Sequence, residues 1–145
     1  MKKTWALSSL LLISATVAPA QTKKGSSDVK KTTTPAVRQS IERGRMIYNK
    51  YCLTCHQADG GGVPNMNPPL IKTTYVNGDK NRLITIVIRG LDEEIEINGD
   101  TYSNPMPAHN FLKDQEIADV LTFIRNNFGN KASPVTVAEV KKNRK

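Results

Sequence analysis

Both cysteines of the 145-residue chain fall in one stretch, "YCLTCHQADG" at residues 51–60, three positions apart and followed at once by one of its two histidines. Three chemistries use a C-x-x-C-H spacing: a redox dithiol, half of a zinc site, and covalent attachment of a c-type haem. Structural zinc takes four ligands. Beyond Cys52, Cys55 and His56 the chain offers only His109 and carboxylates, with no second C-x-x-C, so zinc is disfavoured. A thioredoxin-like dithiol follows a strand in a βαβ setting. Here a helical pattern leads into the motif and no parallel-sheet pattern follows, which leaves the dithiol as a second choice. Haem attachment uses all three residues, because each thiol adds to one vinyl group of the porphyrin and the adjacent histidine reaches the iron from the same side.

Such an iron takes a sixth ligand or keeps an open position. Met46, Met66, Met106 and His109 are the candidates. Met46, on the helical stretch before the motif, reads as packing there, and Met66, ten residues past His56, reads as loop packing. Met106 lies fifty residues past His56 in "SNPMPAHN", where Pro105 and Pro107 stiffen an extended loop and hold the thioether forward. Met106 is therefore the expected ligand and His109 its competitor. A closed iron has no place for a substrate, so the expected role is one-electron transfer rather than enzymatic turnover. Methionine also raises the potential relative to a second histidine. A haem enzyme or gas sensor is the alternative, with Met106 off the iron and His109 as distal acid or base.

The beginning of the chain places this chemistry outside the cytoplasm. Lys2 and Lys3, an apolar or small run from 5 to 17, and Ala18-Pro19-Ala20 form a secretory signal peptide over residues 1–20. The run is too short to span a bilayer, which takes about 20 apolar residues. The expected mature protein is soluble, exported and periplasmic, and loses its one tryptophan, Trp5. The net charge of +8 is uneven. Residues 21–36 carry +3, residues 130–145 carry +4, and residues 37–129 carry −1. A basic face for nucleic acid is thus poorly supported, and weak adhesion of the tails to anionic surfaces is the most the charge implies.

The elements that must position the site are legible in outline. Residues 21–34 are Lys, Ser, Thr and Gly and are expected to be a disordered basic tether. Thr34-Pro35 is a helix start, and Val37, Ile41, Gly44, Tyr48 and Tyr51 make one face of a helix that ends at the motif. "DGGGVPNMNPPL" at 59–70 is a loop that something other than its own hydrogen bonds must hold. Residues 79–88, "DKNRLITIVI", favour a strand slightly by their β-branched composition. Residues 94–102 read as a hairpin turning at Asn98-Gly99. Asp92, Glu93, Glu94 and Glu96 read as its solvated face. Ile117, Val120, Leu121, Ile124 and Phe128 predict a helix over 114–128 stopped by Gly129, and Thr136 with Glu139 a capping box for a short helix in a basic extension, 131–145.

The helix with Gly44 and Tyr48, then "CLTCH", "NPPL", "NPMPA" and "FLKDQEIADVLTFIRNNFGN" together resemble a monohaem class I cytochrome c over residues 36–130. The resemblance implies an all-α fold, with the first and last helices crossing near Gly44, Tyr48 and Phe123 around one covalently attached haem c, and a small β-hairpin before the methionine loop. It makes 35–130 the cytochrome c domain and implies that 79–88 form a helix, which we accept over the strand. A proline carbonyl, of Pro68 or else Pro69, would accept the proximal imidazole N–H, and Leu70 would pack on the haem. Many relatives place a tryptophan near a haem propionate; Tyr75, Arg82 or Arg89 would stand in for it here. Leu53, Thr54 and the Pro107-Ala108 turn would border the edge met by partners. The hairpin and "GNKASPVTVAEV" resemble cytochromes that accompany periplasmic dehydrogenases. This implies a monomer with such a dehydrogenase as donor and an oxidase or another cytochrome as acceptor. The alternative is a bound cytochrome subunit of the dehydrogenase, tethered by its tails.

Overall fold

Thr34 opens the first helix, α1 (Pro35–Tyr51): its hydroxyl accepts the Val37 N–H at 3.4 Å, and Pro35 sits where a missing N–H costs nothing. The computed structural model describes residues 33–145. The expected signal peptide and all but the last two residues of the tether lie outside these. α1 ends at the motif, and Cys52, its C-cap, leads into one further turn, α2 (Leu53–His56).

The crossing partner of α1 is α5 (Asp114–Arg125), which begins where the Glu116 carboxylate accepts the Lys113 N–H at 2.7 Å. The two backbones touch at Gly44: a Cβ there would lie 2.0 Å from the Asp119 carbonyl oxygen. Beside this contact the buried Asp119 carboxylate is bound by Ser40 Oγ at 2.6 Å, by Arg43 Nε and Nη2 at 2.7 and 2.9 Å, and by Gln115 Nε2 at 3.0 Å. A carboxylate withdrawn from water is tolerated only when paired in this way. Hydrogen bonding to Asp119 in turn raises the Arg43 pKa, against the opposing effect of burial.

α5 stops at Arg125, three residues short of the expected end at 128. Phe128 (φ +53) and Gly129 (φ +74) reverse the chain, so the Phe128 ring reaches the core from a turn rather than from the helix stripe. It meets Tyr48 at 5.3 Å and Phe123 at 5.6 Å, and Tyr48 meets Phe123 at 5.3 Å. The buried Tyr48 and Phe123 each contribute roughly 1.5–3 kcal/mol, and the half-buried Phe128 less.

Residues 79–88, which composition alone inclines to a strand and the resemblance to a helix, are helical as accepted: α4 (Lys80–Arg89) follows a one-turn α3 (Thr74–Asn77). Asp79 caps it, accepting the Arg82 N–H at 2.9 Å, and Leu83, Ile84, Val87 and Ile88 form one buried face. Burial of that face outweighs a β-branched propensity difference of a few tenths of a kcal/mol per residue. The hairpin is as expected, β1 (Ile95–Ile97) pairing antiparallel with β2 (Asp100–Tyr102), with Ile95 opposite Tyr102 and Ile97 opposite Asp100. Asn98 and Gly99 both have positive φ, as a two-residue turn matching strand twist requires. Ile95, Ile97 and Tyr102 face inward on Tyr75 and Leu91, while Glu94, Glu96 and Asp100 stay in solvent.

One expectation is corrected in part. The loop 59–70 is held by its own bonds as well as by others: Val63 and Asn67 exchange both backbone bonds at 2.8 and 2.9 Å and the Leu70 N–H donates to Gly60 O at 2.7 Å, while the Gly62 N–H donates to His56 O at 3.1 Å. Residues 131–145 hold the expected short helix, packed against the fold. α6 (Val137–Asn143) carries the expected capping box, with Val135 and Val140 buried. Lys80 Nζ bonds Glu139 at 2.9 Å and Pro134 O at 2.7 Å. The described residues 33–145 therefore carry +3, where residues 37–129 alone carry −1. Among the described residues no helix is long and apolar enough to cross a membrane.

Candidate functional site

The turn that carries the cysteines is pinned from α1. The Tyr48 hydroxyl donates to Gln57 O at 2.6 Å, one residue past His56, where the chain leaves α2 with φ +62. Burial pushes the Tyr48 phenol above its ordinary range, with Cys52 and Asp59 adding to the shift. His56 Nδ1 lies 3.0 Å from the Pro68 carbonyl oxygen. A carbonyl can only accept, so Nδ1 carries the proton and Nε2 keeps its lone pair. Burial lowers the His56 pKa; the Pro68 bond opposes this and the nearby His109 adds to it, so the ring is neutral at pH 7. Between the two prolines the bond goes to Pro68. Gly62 makes room for it: a Cβ there would lie 2.3 Å from Asn67 O and 2.7 Å from Pro68 O.

Cys52 is half-buried and Cys55 exposed. Burial, with Cys55 beside it, pushes the Cys52 thiol up to about 11. Disulfide exchange wants the opposite shift, so the raised Cys52 thiol argues against a redox dithiol.

These residues open onto one cleft, with about 1200 Å³ of non-atom space including its mouth. Leu83, Ile86 and Val87 of α4, Val120, Leu121 and Ile124 of α5, and the inward face of the hairpin make the walls apolar. Cys52, Cys55, His56, Pro68, Leu70, Met106 and His109 all line it. Met106 is fixed through its backbone, which exchanges bonds of 2.9 and 2.8 Å with Leu91. Met46 and Met66, expected to pack, are 64% and 50% exposed and lie outside the cleft lining. His109 Nδ1 is covered by protein and has no hydrogen-bond partner among the described residues, while its backbone N–H donates to Val87 O at 2.9 Å. Tyr75 lines the cleft with the Arg82 guanidinium 4.1 Å from its ring centroid; Arg82 and Arg89 do not line it. Thr54, Pro107 and Ala108 are exposed, and Leu53 is half-buried.

Two supports escaped sequence reasoning. Asn130, buried in the turn after α5, donates to Leu70 O and Ile124 O at 2.9 and 2.8 Å. It accepts from Lys72 N–H and Asn77 Nδ2 at 2.7 and 3.1 Å, using its full capacity to tie the Leu70 wall to α5. Arg125, also buried, donates to Val76 O, to Gly78 O at 3.3 Å and to Ser133 O at 2.8 Å. It thereby holds α3, whose Tyr75 and Val76 face the cleft. Burial lowers its pKa and Glu139 offsets part of the shift. The one available signal was Asn130's place after Gly129.

Two thiols, a neutral imidazole with a free lone pair and a thioether on one apolar cleft fit a covalently bound haem, and the helical fold with its hairpin is that of the class I cytochromes c. The chain belongs to the cytochrome c family, whose model matches residues 41–128. It is 36% identical over 108 residues to cytochrome c-552 of Thermus thermophilus, covering 68% of this chain and 82% of that protein. It is 38% identical over 102 residues to the cytochrome c subunit of a quinone alcohol dehydrogenase of Gluconacetobacter polyoxogenes, and 30% identical over 136 residues to the fructose dehydrogenase cytochrome subunit of Gluconobacter japonicus. These matches cover 68% and 88% of this chain but only 22% and 25% of the two subunits.

Proposed function

We propose that this chain is a soluble, exported electron carrier of the periplasm, with one haem c attached through Cys52 and Cys55 and its iron held by His56 and Met106. The observation that carries the reading is the His56–Pro68 bond at 3.0 Å. It commits Nδ1 to the protein and leaves Nε2 as the metal-binding nitrogen, in a cleft whose one methionine among the described residues is Met106. One-electron redox chemistry is what the haem supplies when bound. The chain does the rest. Pro68 fixes the imidazole orientation and makes the ligand more basic; Met106 favours the reduced state; Leu70 and the apolar walls keep water out. Tyr75, with Arg82 behind it, is the group within the cleft suited to a propionate. A donor dehydrogenase and an accepting oxidase or cytochrome would meet the exposed Thr54, Cys55, Pro107 and Ala108 side.

The test is the absorption spectrum of the ferric and ferrous holoprotein, with carbon monoxide added to the latter. A thioether-to-iron band that Met106→Ala abolishes, with no response to carbon monoxide, is expected. Rapid carbon monoxide binding without that band would overturn the closed carrier and turn attention to His109. The intact mass reads cleavage after Ala20 and the single haem.

A second reading, a cytochrome held permanently by a dehydrogenase, is favoured by the similarity to dehydrogenase cytochrome subunits. Co-purification of a dehydrogenase that survives high salt, and is lost without residues 21–36, would support it over a free carrier.

A further inference from the structure

Arg144, the C-cap of α6, lies beyond the stretch that matches the family. Its guanidinium reaches back to the segment that follows Met106. Nη1 donates to Asn110 O at 3.0 Å, Nη2 to Leu112 O, and Nε to the Asp114 carboxylate at 2.5 Å. The bond to Leu112 O is part-buried, while those to Asn110 and Asp114 are exposed to water. Apart from Phe111, whose ring meets Tyr51 at 5.3 Å, and the core packing of Leu112, the segment between Met106 and α5 has few other hydrogen-bonded ties. Met106 pairs with Leu91, the His109 N–H reaches Val87 O, and the Leu112 N–H reaches only His109 O, inside the segment itself. Among the described residues, Arg144 is what bonds the backbone of 110–112 to the rest of the fold. Leu112 is 3% exposed and lines the cleft beside His109 and Met106.

We propose that Arg144 is a positioning residue for the methionine side of the cleft, a clasp by which α6 keeps the 106–112 segment closed. The proposal rests on the reading of Met106 as iron ligand. Three donors of one planar group, aimed at two carbonyls and a carboxylate, fix a loop in a way that a lysine's single ammonium cannot. Releasing them frees 110–112, removes the support behind Leu112 and lets the thioether swing away from the cleft more often.

The experiment compares ferric holoprotein with Arg144→Ala and Arg144→Lys by imidazole titration, by thermal loss of the thioether band against loss of far-UV circular dichroism, and by amide hydrogen exchange. Imidazole binds only when the thioether leaves. Loss of the clasp should tighten its apparent affinity roughly tenfold, the equivalent of one charge-assisted hydrogen bond. In Arg144→Ala the band should vanish at a temperature below global melting. Exchange at the His109 and Leu112 amides should quicken about tenfold with α1 and α5 unchanged, and Arg144→Lys should lie between. Unchanged imidazole affinity and exchange, or exchange raised equally in α1 and α5, would overturn the clasp and leave Arg144 an anchor for α6 alone. A wild type without the thioether band would instead overturn the Met106 reading, and the exchange comparison would still decide for or against the clasp.

Discussion

Replacing Gly44 by alanine tests the helix crossing that frames the site. The added Cβ would lie 2.0 Å from Asp119 O, 2.6 Å from its carbonyl carbon and 2.7 Å from Phe123 Cβ, where ordinary contact begins at 3.4 Å. Two of these atoms are helix backbone and cannot turn aside, so α1 and α5 must part by about 1 Å, which forfeits a quarter to a half of the dispersion attraction across the contact. Overpacking of this kind costs about 3 kcal/mol. The better helix propensity of alanine returns about 1 kcal/mol, for a net loss of about 2 kcal/mol. At roughly 4 °C per kcal/mol in a domain of this size, the melting temperature should fall by about 8 °C. The assay is thermal unfolding of the ferric holoprotein by far-UV circular dichroism, with Gln39→Ala on the exposed side of α1 as the control that should stay within about 2 °C. Equal melting temperatures for Gly44→Ala and wild type would mean that the two helices do not meet as described.

Asn130→Ala leaves Leu70 O and the Lys72 N–H without their partners and should destabilise the protein by about 3 kcal/mol, read as a lower urea midpoint at unchanged slope; a loss under about 1 kcal/mol would contradict the hub. Burial alone would raise the Glu139 pKa, but bonds from Thr136 and Lys80 more than offset it and hold the carboxyl below its usual range. A depressed carboxyl stabilises the fold above its unfolded pKa of about 4.3 and loses that contribution as pH falls through the depressed value. The melting-temperature gap between wild type and Glu139→Gln should accordingly be full at pH 6 and close below about pH 4; a gap constant over that range would refute it. With acidic and basic residues both on the folded surface, electron exchange with a protein partner should vary only shallowly with ionic strength in stopped-flow measurements. A steep slope that persists after removal of residues 21–36 would contradict this.

Local signals made much of this readable. Thr34-Pro35, Thr136 with Glu139, and Asn98-Gly99 act within a few residues of chain, and α1, α6 and the hairpin start or turn where they indicate. The lining residues Cys52, Cys55, His56, Pro68, Leu70 and Met106 stood out because their types and proline or histidine neighbours are hard to explain as filler. α4 resisted, because its β-branched residues are chosen by a buried face that composition does not describe. The end of α5 was misplaced because Phe128 continues the apolar stripe by type while its backbone has already turned to φ +53. Asp119, Arg125, Asn130 and Arg144 gave no signal: their partners lie as far as 79 residues away in the chain, and a polar residue does not announce that it will be buried.

The Asp119 carboxylate joins positions on α1 and α5 separated by 76 and 79 residues, and nearly all of the cleft lining lies between them. The chain is in effect a ring closed by one helix pair. Closing it costs about 4 kcal/mol of chain entropy, but the dependence on length is logarithmic, and doubling the ring would add only about 0.6 kcal/mol. Insertions and deletions in the turns of the ring are therefore nearly free in stability, so that descendants could lengthen a hairpin or trim a loop to suit a new partner. A single methyl group at position 44 acts on the closure itself and has no such freedom.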